Sequence, residues 1–228
     1  MAWRLALIAA TLLALAGCSG SQRHFDVDRN LFPVKGIDVS NHNGPVDFTR
    51  ARADSIDFVY IKATEGIEYS DAMFAHHLES AKAAGIKVGA YHYFRFGSPG
   101  HLQAYHFLNA VREHDLDLPL AIDVEDWLND ADVPDAEVRE QLRVMVDALA
   151  SNGMRVVIYT NKDGYARYID SHFPDADLWL CSLSPAPPQA PWAIWQHSHQ
   201  GTVDGASTPV DVNTFAGSRA DFARWLAR

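Results

Sequence analysis

Basic residues are scarce in this chain. Its 228 residues include 19 Lys and Arg against 29 Asp and Glu, which gives a formal net charge of −10 at pH 7. Proteins that bind nucleic acids neutralise phosphates with clusters of Lys and Arg, and the sequence contains no such cluster. We therefore expect that nucleic acid is not a partner.

Cysteine is almost absent, since only Cys18 and Cys181 occur. Cys181 lies in the apolar run 178–181. This favours a small buried side chain over a nucleophile, because no nearby charge is evident that would lower its pKa. If Cys18 carries a lipid, Cys181 has no partner and the mature chain forms no internal disulfide.

Long apolar runs are missing after residue 16. The run at residues 5–16 follows Arg4 and is short for a membrane span, but it suits a secretory signal. It ends in Leu-Ala-Gly-Cys at residues 15–18, which resembles the lipobox of bacterial lipoproteins. The resemblance implies cleavage before Cys18, lipidation of Cys18 and attachment to a membrane facing the periplasm or the cell exterior. If the organism has two membranes, we expect attachment to the outer one. An ordinary cleaved signal is the alternative, and export is expected in both cases.

The rest of the chain has the composition of a folded domain. Hydrophobic residues make up 48% of it, which is enough for a sizeable core and too many for a disordered chain. We divide the sequence into a signal peptide at 1–17, a polar tether at 18–34 and a single domain at 35–228. Barrels of the α/β class commonly occupy such a length as one unit.

Apolar β-rich runs alternate with helical patterns in the first part of the domain. The runs lie near residues 34–40, 56–63, 86–94, 119–124 and 155–160, and Ser70 is expected to cap the helix that follows the second run. Such alternation predicts a parallel sheet with right-handed crossovers. Three shorter strand-like pieces follow, at 177–182, 192–197 and 210–213. Together they predict a TIM-like α/β barrel with five βα units, followed by three strands that lack regular crossover helices.

The fourth predicted strand ends in acid. Residues two apart on a strand point to the same face, so Asp123 and Glu125 are expected to project together. Two adjacent carboxylates at the end of a buried strand repel each other, and at least one should hold a proton near neutrality. A proton donor beside an ionised neighbour is what hydrolysis of a glycosidic bond requires. For an isolated Asp-x-Glu, a solvated strand end is the simpler interpretation.

Polar and aromatic side chains also occur at the ends of the other strands. The reactive residues of parallel barrels lie at the carboxyl ends of strands. This rule puts seven residues from five strands on one rim: Asp38, Lys62, Tyr91, Tyr93, Asp123, Glu125 and Tyr159. Asp211, on the last strand, would complete the ring beside the first. The convergence favours an active site over a set of unrelated strand ends.

Six short motifs occur in order along the domain. They are Gly-Ile-Asp-Val-Ser (36–40), Tyr-Ile-Lys-Ala-Thr-Glu-Gly (60–66), Gly-Ala-Tyr-His-Tyr-Phe (89–94), Asp-Val-Glu (123–125), Ile-Trp-Gln (194–196) and Val-Asp-Val-Asn (210–213). This set resembles family 25 glycoside hydrolases, the Chalaropsis-type lysozymes or N-acetylmuramidases. The resemblance implies a barrel of five βα units and three further strands. It also implies hydrolysis of the β-1,4 bond between N-acetylmuramic acid and N-acetylglucosamine in peptidoglycan strands.

The resemblance also implies roles for individual residues. Glu125 matches the proton donor of the family, Asp123 its paired carboxylate, and Asp38 and Asp211 two further active-site acids. The positions that line the sugar cleft are matched by Lys62, Tyr91 and Tyr159, to which we add Tyr93 and Gln196. Tyr93 and Gln196 are also compatible with packing inside the barrel.

We expect Glu125 to donate a proton to the departing sugar oxygen and later to accept one from water. Asp123 is expected to be an ionised stabiliser rather than a nucleophile, because N-acetylated substrates can use their own acetamido oxygen. Asp123 or Asp211 would orient that group, with retention of configuration. Lys62 would keep neighbouring acids ionised. Trp127 either stacks on a sugar ring or covers the core.

Two other functions are compatible with parts of the sequence. A metal-dependent polysaccharide deacetylase or hydrolase would use some of the 11 His residues. The pairs to consider are His76 with His77, His101 with His106, and His197 with His199, and none has the i, i+4 spacing of a helical zinc pair. A non-catalytic peptidoglycan-binding lipoprotein would be favoured by a missing acid, but all four acids are present. We predict neither a metal nor another cofactor.

Overall fold

The computed structural model of the protein describes residues 26–228. The predicted signal peptide, Cys18 and the start of the predicted tether lie outside these residues. Within 26–228, no helix combines the length and the apolar character that a bilayer span requires.

A closed barrel forms the centre of the domain. In residues 26–228 the strands are β1 (Lys35–Val39), β2 (Ile56–Glu65), β3 (Tyr69–Ser70), β4 (Lys87–Tyr93), β5 (Leu120–Asp123), β6 (Val156–Asn161), β7 (Asp177–Cys181), β8 (Ile194–Gly201) and β9 (Val210–Phe215). Eight of them follow the order β1-β9-β8-β7-β6-β5-β4-β2, and β1 pairs with β2 to close the ring, while the short β3 lies beside β2. Within the ring the strand pairs are parallel except at β9, which is antiparallel to β8 and to β1, and β3 is antiparallel to β2. The predicted α/β barrel is confirmed.

Helices surround the first part of the barrel. They are α1 (Phe48–Ala53), α2 (Phe74–Ala83), α3 (Gly100–Val111), α4 (Asp135–Ser151), the short α5 (Lys162–Gly164) with a π-helical turn at Tyr165–Ile169, and α6 (Arg219–Leu226). No helix separates β7, β8 and β9 in the described chain.

Side chains alternate along the strands between two apolar layers. On β2, Phe58 and Tyr60 pack inside the barrel, whereas Val59 and Ile61 pack outward in the layer that contains the helices. The interior is filled to the point where Gly36 has no room for a side chain, since a Cβ there would lie 2.3 Å from the Phe58 ring. The barrel is therefore a packed core and not a channel.

The final helix closes one end of the barrel. Trp225 of α6 is buried in the interior cluster, and its indole Nε1 donates to Asp177 at the start of β7 at 2.8 Å. Arg155, just before β6, donates to the Trp225 carbonyl at 2.8 Å. Because α6 covers the amino ends of the strands, the carboxyl ends are left for a site.

The structure differs from two local predictions. Ser70 lies in β3 and does not cap α2, which begins after Met73 without a side-chain cap. In addition, the end of the segment predicted to be a tether packs on the barrel, because Val34 is fully buried and the Phe32 ring lies 5.5 Å from that of Trp192.

Candidate active site

A cavity of about 280 Å³ lies at the carboxyl ends of the barrel strands. Its lining includes all nine residues that the sequence suggests for the site: Asp38, Lys62, Tyr91, Tyr93, Asp123, Glu125, Tyr159, Gln196 and Asp211. Eight of them lie on strands, and Glu125 lies in the loop after β5. The fold thus brings the whole predicted set to one place.

Asp38 and Asp211, called here the acid pair, face each other across the antiparallel β1–β9 ladder. The Asp38 Oδ2 atom accepts hydrogen bonds from Asn213 Nδ2 at 2.7 Å and from Gln196 Nε2 at 3.0 Å. Gln196 Nε2 also lies 3.4 Å from Asp211 Oδ2. Two amide groups therefore direct their N–H groups at the acid pair.

The orientation of both amides is fixed by donors at their carbonyl ends. Gln196 Oε1 accepts from the Tyr159 hydroxyl at 2.8 Å and lies 2.9 Å from His199 Nε2. Asn213 Oδ1 accepts from Trp179 Nε1 at 2.7 Å. Since the oxygens are already engaged, the NH₂ groups must face the acids.

The environment of the acid pair favours a shared proton. Loss of water contact, and then the negative charge of Asp211, raise the pKa of Asp38 to about 8. Loss of water contact raises the pKa of Asp211 to about 6, while a hydrogen bond from Asp38 acts in the opposite direction. Near neutral pH the acid pair therefore holds one proton and carries one negative charge.

Asp123 and Glu125 do not share a strand, contrary to the prediction. Strand β5 ends at Asp123, and Glu125 lies two residues into the next loop. Asp123 is buried, and its Oδ1 has no hydrogen-bond partner among the described residues. Burial, followed by the charges of Glu125 and Asp38, raises the pKa of Asp123 well above its usual value. This direction opposes the ionised state expected for Asp123.

Glu125 has the properties of a proton donor at neutral pH. Burial raises its pKa to about 7, the charge of Asp38 adds to the rise, and the Lys62 ammonium group opposes it. A carboxyl group with a pKa near the working pH can give up a proton and take one back.

Residues 125–129 form a segment that we call the Glu125 loop. Asn129 holds it from inside: its Nδ2 donates to the carbonyls of Glu125 at 2.8 Å and Phe94 at 3.0 Å. Its Oδ1 accepts from the Phe96 amide at 3.0 Å. The backbone that carries Glu125 is thereby tied to the chain just after β4.

Two arginines hold the loop from outside. Arg167 Nη1 donates to both carboxylate oxygens of Asp126, at 3.0 and 2.9 Å, and the Tyr168 hydroxyl donates to Asp126 at 2.7 Å. Arg95 donates to the carbonyl of Leu128. The Glu125 loop is therefore fixed by its own Asn129 and by side chains from two other segments.

Lys62 does not pair with the four predicted acids. Its Nζ lies 2.7 Å from Glu65 Oε2, and Arg95 Nε donates to the other Glu65 oxygen at 2.9 Å. Burial raises the pKa of Glu65, but the hydrogen bonds and charges of Lys62 and Arg95 outweigh burial and leave the pKa lowered. Lys62 Nζ also lies 5.1 Å from the centre of the Tyr93 ring, within range of a cation–π contact.

The structure adds residues that sequence reasoning missed. Asn213 is two residues beyond Asp211 on β9, so strand alternation offered a signal for it. The contact of Trp179 with Asn213 depends on strand order and gave no local signal. Glu65 and His199 lie three residues from their partners Lys62 and Gln196, and these contacts were not predicted. Trp127 lines the cavity and is 69% exposed, which excludes a role in covering the core.

The histidine pairs are used in other ways. His77 Nε2 lies 2.9 Å from the Gly44 carbonyl, and His106 Nε2 lies 2.9 Å from that of Tyr69. Across residues 26–228, no three His, Cys, Asp or Glu side chains are grouped as the ligands of a metal would be.

Comparisons with known proteins point to one family. The sequence model of glycosyl hydrolases family 25 matches residues 37–206. The autolytic lysozyme of Clostridium acetobutylicum is 34% identical over 185 residues, which cover 80% of this chain and 56% of that protein. The chain thus spans just over half the length of this relative.

Solved structures agree with the sequence match. A family 25 glycosyl hydrolase from Bacillus anthracis aligns with a TM-score of 0.81 and 31% identity, covering 89% of this chain and 96% of the other. A bacterial lysozyme from Streptomyces coelicolor aligns with a TM-score of 0.73 and 31% identity, covering 85% and 95%. Because the family model covers well over half of the sequence, the chain belongs to glycosyl hydrolases family 25.

Proposed function

We propose that this protein is a muramidase that hydrolyses the β-1,4 bond between N-acetylmuramic acid and N-acetylglucosamine in peptidoglycan. The observation that carries the proposal is Glu125, a carboxyl group with a pKa of about 7, in a cavity that three further acids line. Membership of family 25 supports it. Relatives named autolytic lysozyme and bacterial lysozyme support peptidoglycan as the substrate.

Glu125 performs the proton transfers in this proposal. Its proton passes to the glycosidic oxygen as the bond from that oxygen to the sugar C1 breaks. The carboxylate that remains then accepts a proton from the water that completes hydrolysis. The pKa near 7 supports both halves of the cycle, because neither protonation state is strongly disfavoured at neutral pH.

The nucleophile in this proposal belongs to the substrate. The acetamido oxygen attacks C1 from the face opposite the leaving group and forms a cyclic oxazolinium, which water opens with overall retention. Asp211 supplies the negative charge near this cation, since its pKa of about 6 leaves it ionised at pH 7. Asp123, which lines the cavity, orients the acetamido group. In this proposal the negative charge that stabilises the cation belongs to Asp211, whereas the sequence analysis expected it on Asp123.

Analysis of digested peptidoglycan tests the proposal directly. Purified protein should release new reducing ends from insoluble peptidoglycan, and mass spectrometry should find N-acetylmuramic acid at those ends. N-acetylglucosamine there would identify a different glycosidase. Acetate without reducing ends would identify a deacetylase, and sedimentation with peptidoglycan without cleavage would identify a binding protein. Activity should also survive EDTA.

The proposed location follows from the first residues of the sequence. The apolar run at 5–16 and the motif ending at Cys18 support export and a lipid anchor. The wild-type protein should sediment with membranes and incorporate labelled palmitate, and Cys18→Ser should abolish both. A wild-type protein that is exported but soluble would indicate an ordinary signal peptide instead.

A further inference from the structure

Trp127 is far more exposed than three other tryptophans of the domain. Its indole is 69% exposed and lines the same cavity as Glu125, whereas Trp179, Trp195 and Trp225 are buried. Burial of a large apolar side chain stabilises a folded protein, and this indole forgoes that stabilisation. An exposed indole at the mouth of a binding cavity points to an occupant that covers it.

The backbone on both sides of Trp127 is held in place. Asp126, which precedes it, is bound by Arg167 and Tyr168. Leu128, which follows it, has a φ of 61°, a conformation that is unfavourable for a side chain of its size. Arg95 donates to the Leu128 carbonyl and so supports this conformation. The indole is therefore attached to a fixed segment of chain.

The neighbouring surface suits a sugar ring. Leu128 is 61% exposed and lines the cavity beside Trp127, so a flat ring and an aliphatic group lie together at the rim. Pyranose rings have a face of C–H groups that an indole can cover, and their hydroxyl groups remain in contact with water. The acids that line the cavity begin two residues away, at Glu125.

We propose that Trp127 is a stacking platform for a pyranose ring of the glycan strand, next to the ring on which Glu125 acts. The inference rests on the proposed function, since it assumes that a glycan enters the cavity. It makes Trp127 a substrate-binding residue that sets affinity for longer glycans and takes no part in bond cleavage. Binding that is equal in the ground state and the transition state changes KM and leaves kcat unchanged.

The experiment compares three variants on solubilised, peptide-free glycan strands of peptidoglycan. Trp127→Ala should raise KM about tenfold, equivalent to about 1.4 kcal/mol, with kcat within about twofold of wild type. Trp127→Phe should keep most of the affinity, because a flat ring is retained. The control is Tyr105→Ala, which removes a 67% exposed ring from α3 that does not line the cavity and should leave both constants unchanged. Thermal unfolding of all three should match wild type.

Two results would overturn the platform: an unchanged KM in Trp127→Ala, or an equal rise in KM in Trp127→Phe. A lower kcat with an unchanged KM would show instead that Trp127 acts by positioning the Glu125 loop. Tryptophan fluorescence separates this inference from the proposed function. Glycan added to Glu125→Gln should shift the emission, and the shift should be lost in Glu125→Gln/Trp127→Phe. If that result appears while wild type releases no reducing ends, the muramidase proposal fails and the platform stands.

Discussion

The two sides of the cleft are held in place by different means. The acid pair lies on β1 and β9, where strand register sets Asp38 opposite Asp211, and two buried amides face it. Glu125 lies outside any strand, on a loop that Asn129, Arg95 and Arg167 hold through hydrogen bonds. The comparison teaches that strand register positions the acid pair, whereas side-chain hydrogen bonds position Glu125, the proposed proton donor.

The two sides of the cleft should also differ in how substitutions affect the fold. Gln196 and Asn213 are buried. Removal of a carboxyl group from the acid pair would therefore leave an amide N–H group without a hydrogen-bond acceptor inside the packed barrel. The Glu125 loop is on the surface, where loops tolerate substitution. Mutations of the acid pair should therefore affect stability, and mutations of the loop should affect rate.

The largest effect is expected at Glu125. Glu125→Gln keeps the size of the side chain but has no proton to donate, so kcat should fall by roughly 10²–10⁴-fold with little change in thermal unfolding. Glu113→Gln, at an exposed site outside the cavity, is the control and should behave as wild type. Near-normal turnover by Glu125→Gln would show that another residue is the acid.

A paired substitution at Asp38 tests the other side. Asp38→Ala leaves the amide donors of Gln196 and Asn213 buried without an acceptor, and the free energy of unfolding should fall by about 1–3 kcal/mol. Asp38→Asn can place its oxygen toward the two amides and its NH₂ toward Asp211, so it should stay close to wild type in denaturant unfolding. An Asn variant as unstable as the Ala variant would contradict a proton shared by the acid pair.

Loss of the Asn129 side chain should have a smaller effect, on rate. Asn129→Ala removes the contacts that tie the Glu125 backbone to Phe94 and Phe96. We expect kcat to fall about tenfold, since a small displacement of a catalytic group is costly, with a modest loss of thermal stability. Asn109→Ala on the exposed side of α3 is the matched control. A rate unchanged from wild type would mean that Arg95 and Arg167 alone hold the loop.

The smallest effect concerns pH. Protonation of Asp211 below its pKa of about 6 removes the stabilising charge, and ionisation of Glu125 above its pKa of about 7 removes the proton donor. The rate should therefore be highest between these values.

Asp38→Asn removes a negative neighbour that raises the pKa of Glu125, so the alkaline limb of the pH profile should move to lower pH. The shift should be small, because Asp38 is largely protonated in this range. A profile that is flat from pH 5 to 8, or a shift to higher pH, would contradict this order of pKa values.

The site residues that lie on strands could be predicted from the sequence. Alternation and the rule for parallel barrels place Asp38, Lys62 and Tyr159 on one rim, and the structure has all three in the cavity. The position of Asp211 beside Asp38 is confirmed by the β1–β9 register. These features follow from local periodicity and a general property of the fold.

Features that depend on distant contacts were not predictable. Asp-Val-Glu has the alternation of a strand, but β5 stops at Asp123, and the loop that follows is fixed by Arg95 and Arg167 from elsewhere in the chain. The charge of Lys62 opposes the rise in the pKa values of Asp123 and Glu125, as expected. Its hydrogen-bond partner Glu65, which also binds the distant Arg95, was not predicted.

The ladder between β1 and β9 joins the beginning and the end of the domain at the acid pair. A chain that stops at Gly201 contains Glu125 and Asp123 but has neither Asp211 nor the strand that completes the ring. During synthesis, the four acids of the cavity thus come together only when the last strand has docked. Proteolytic trimming from the carboxyl end would remove Asp211 before it reached most of the barrel.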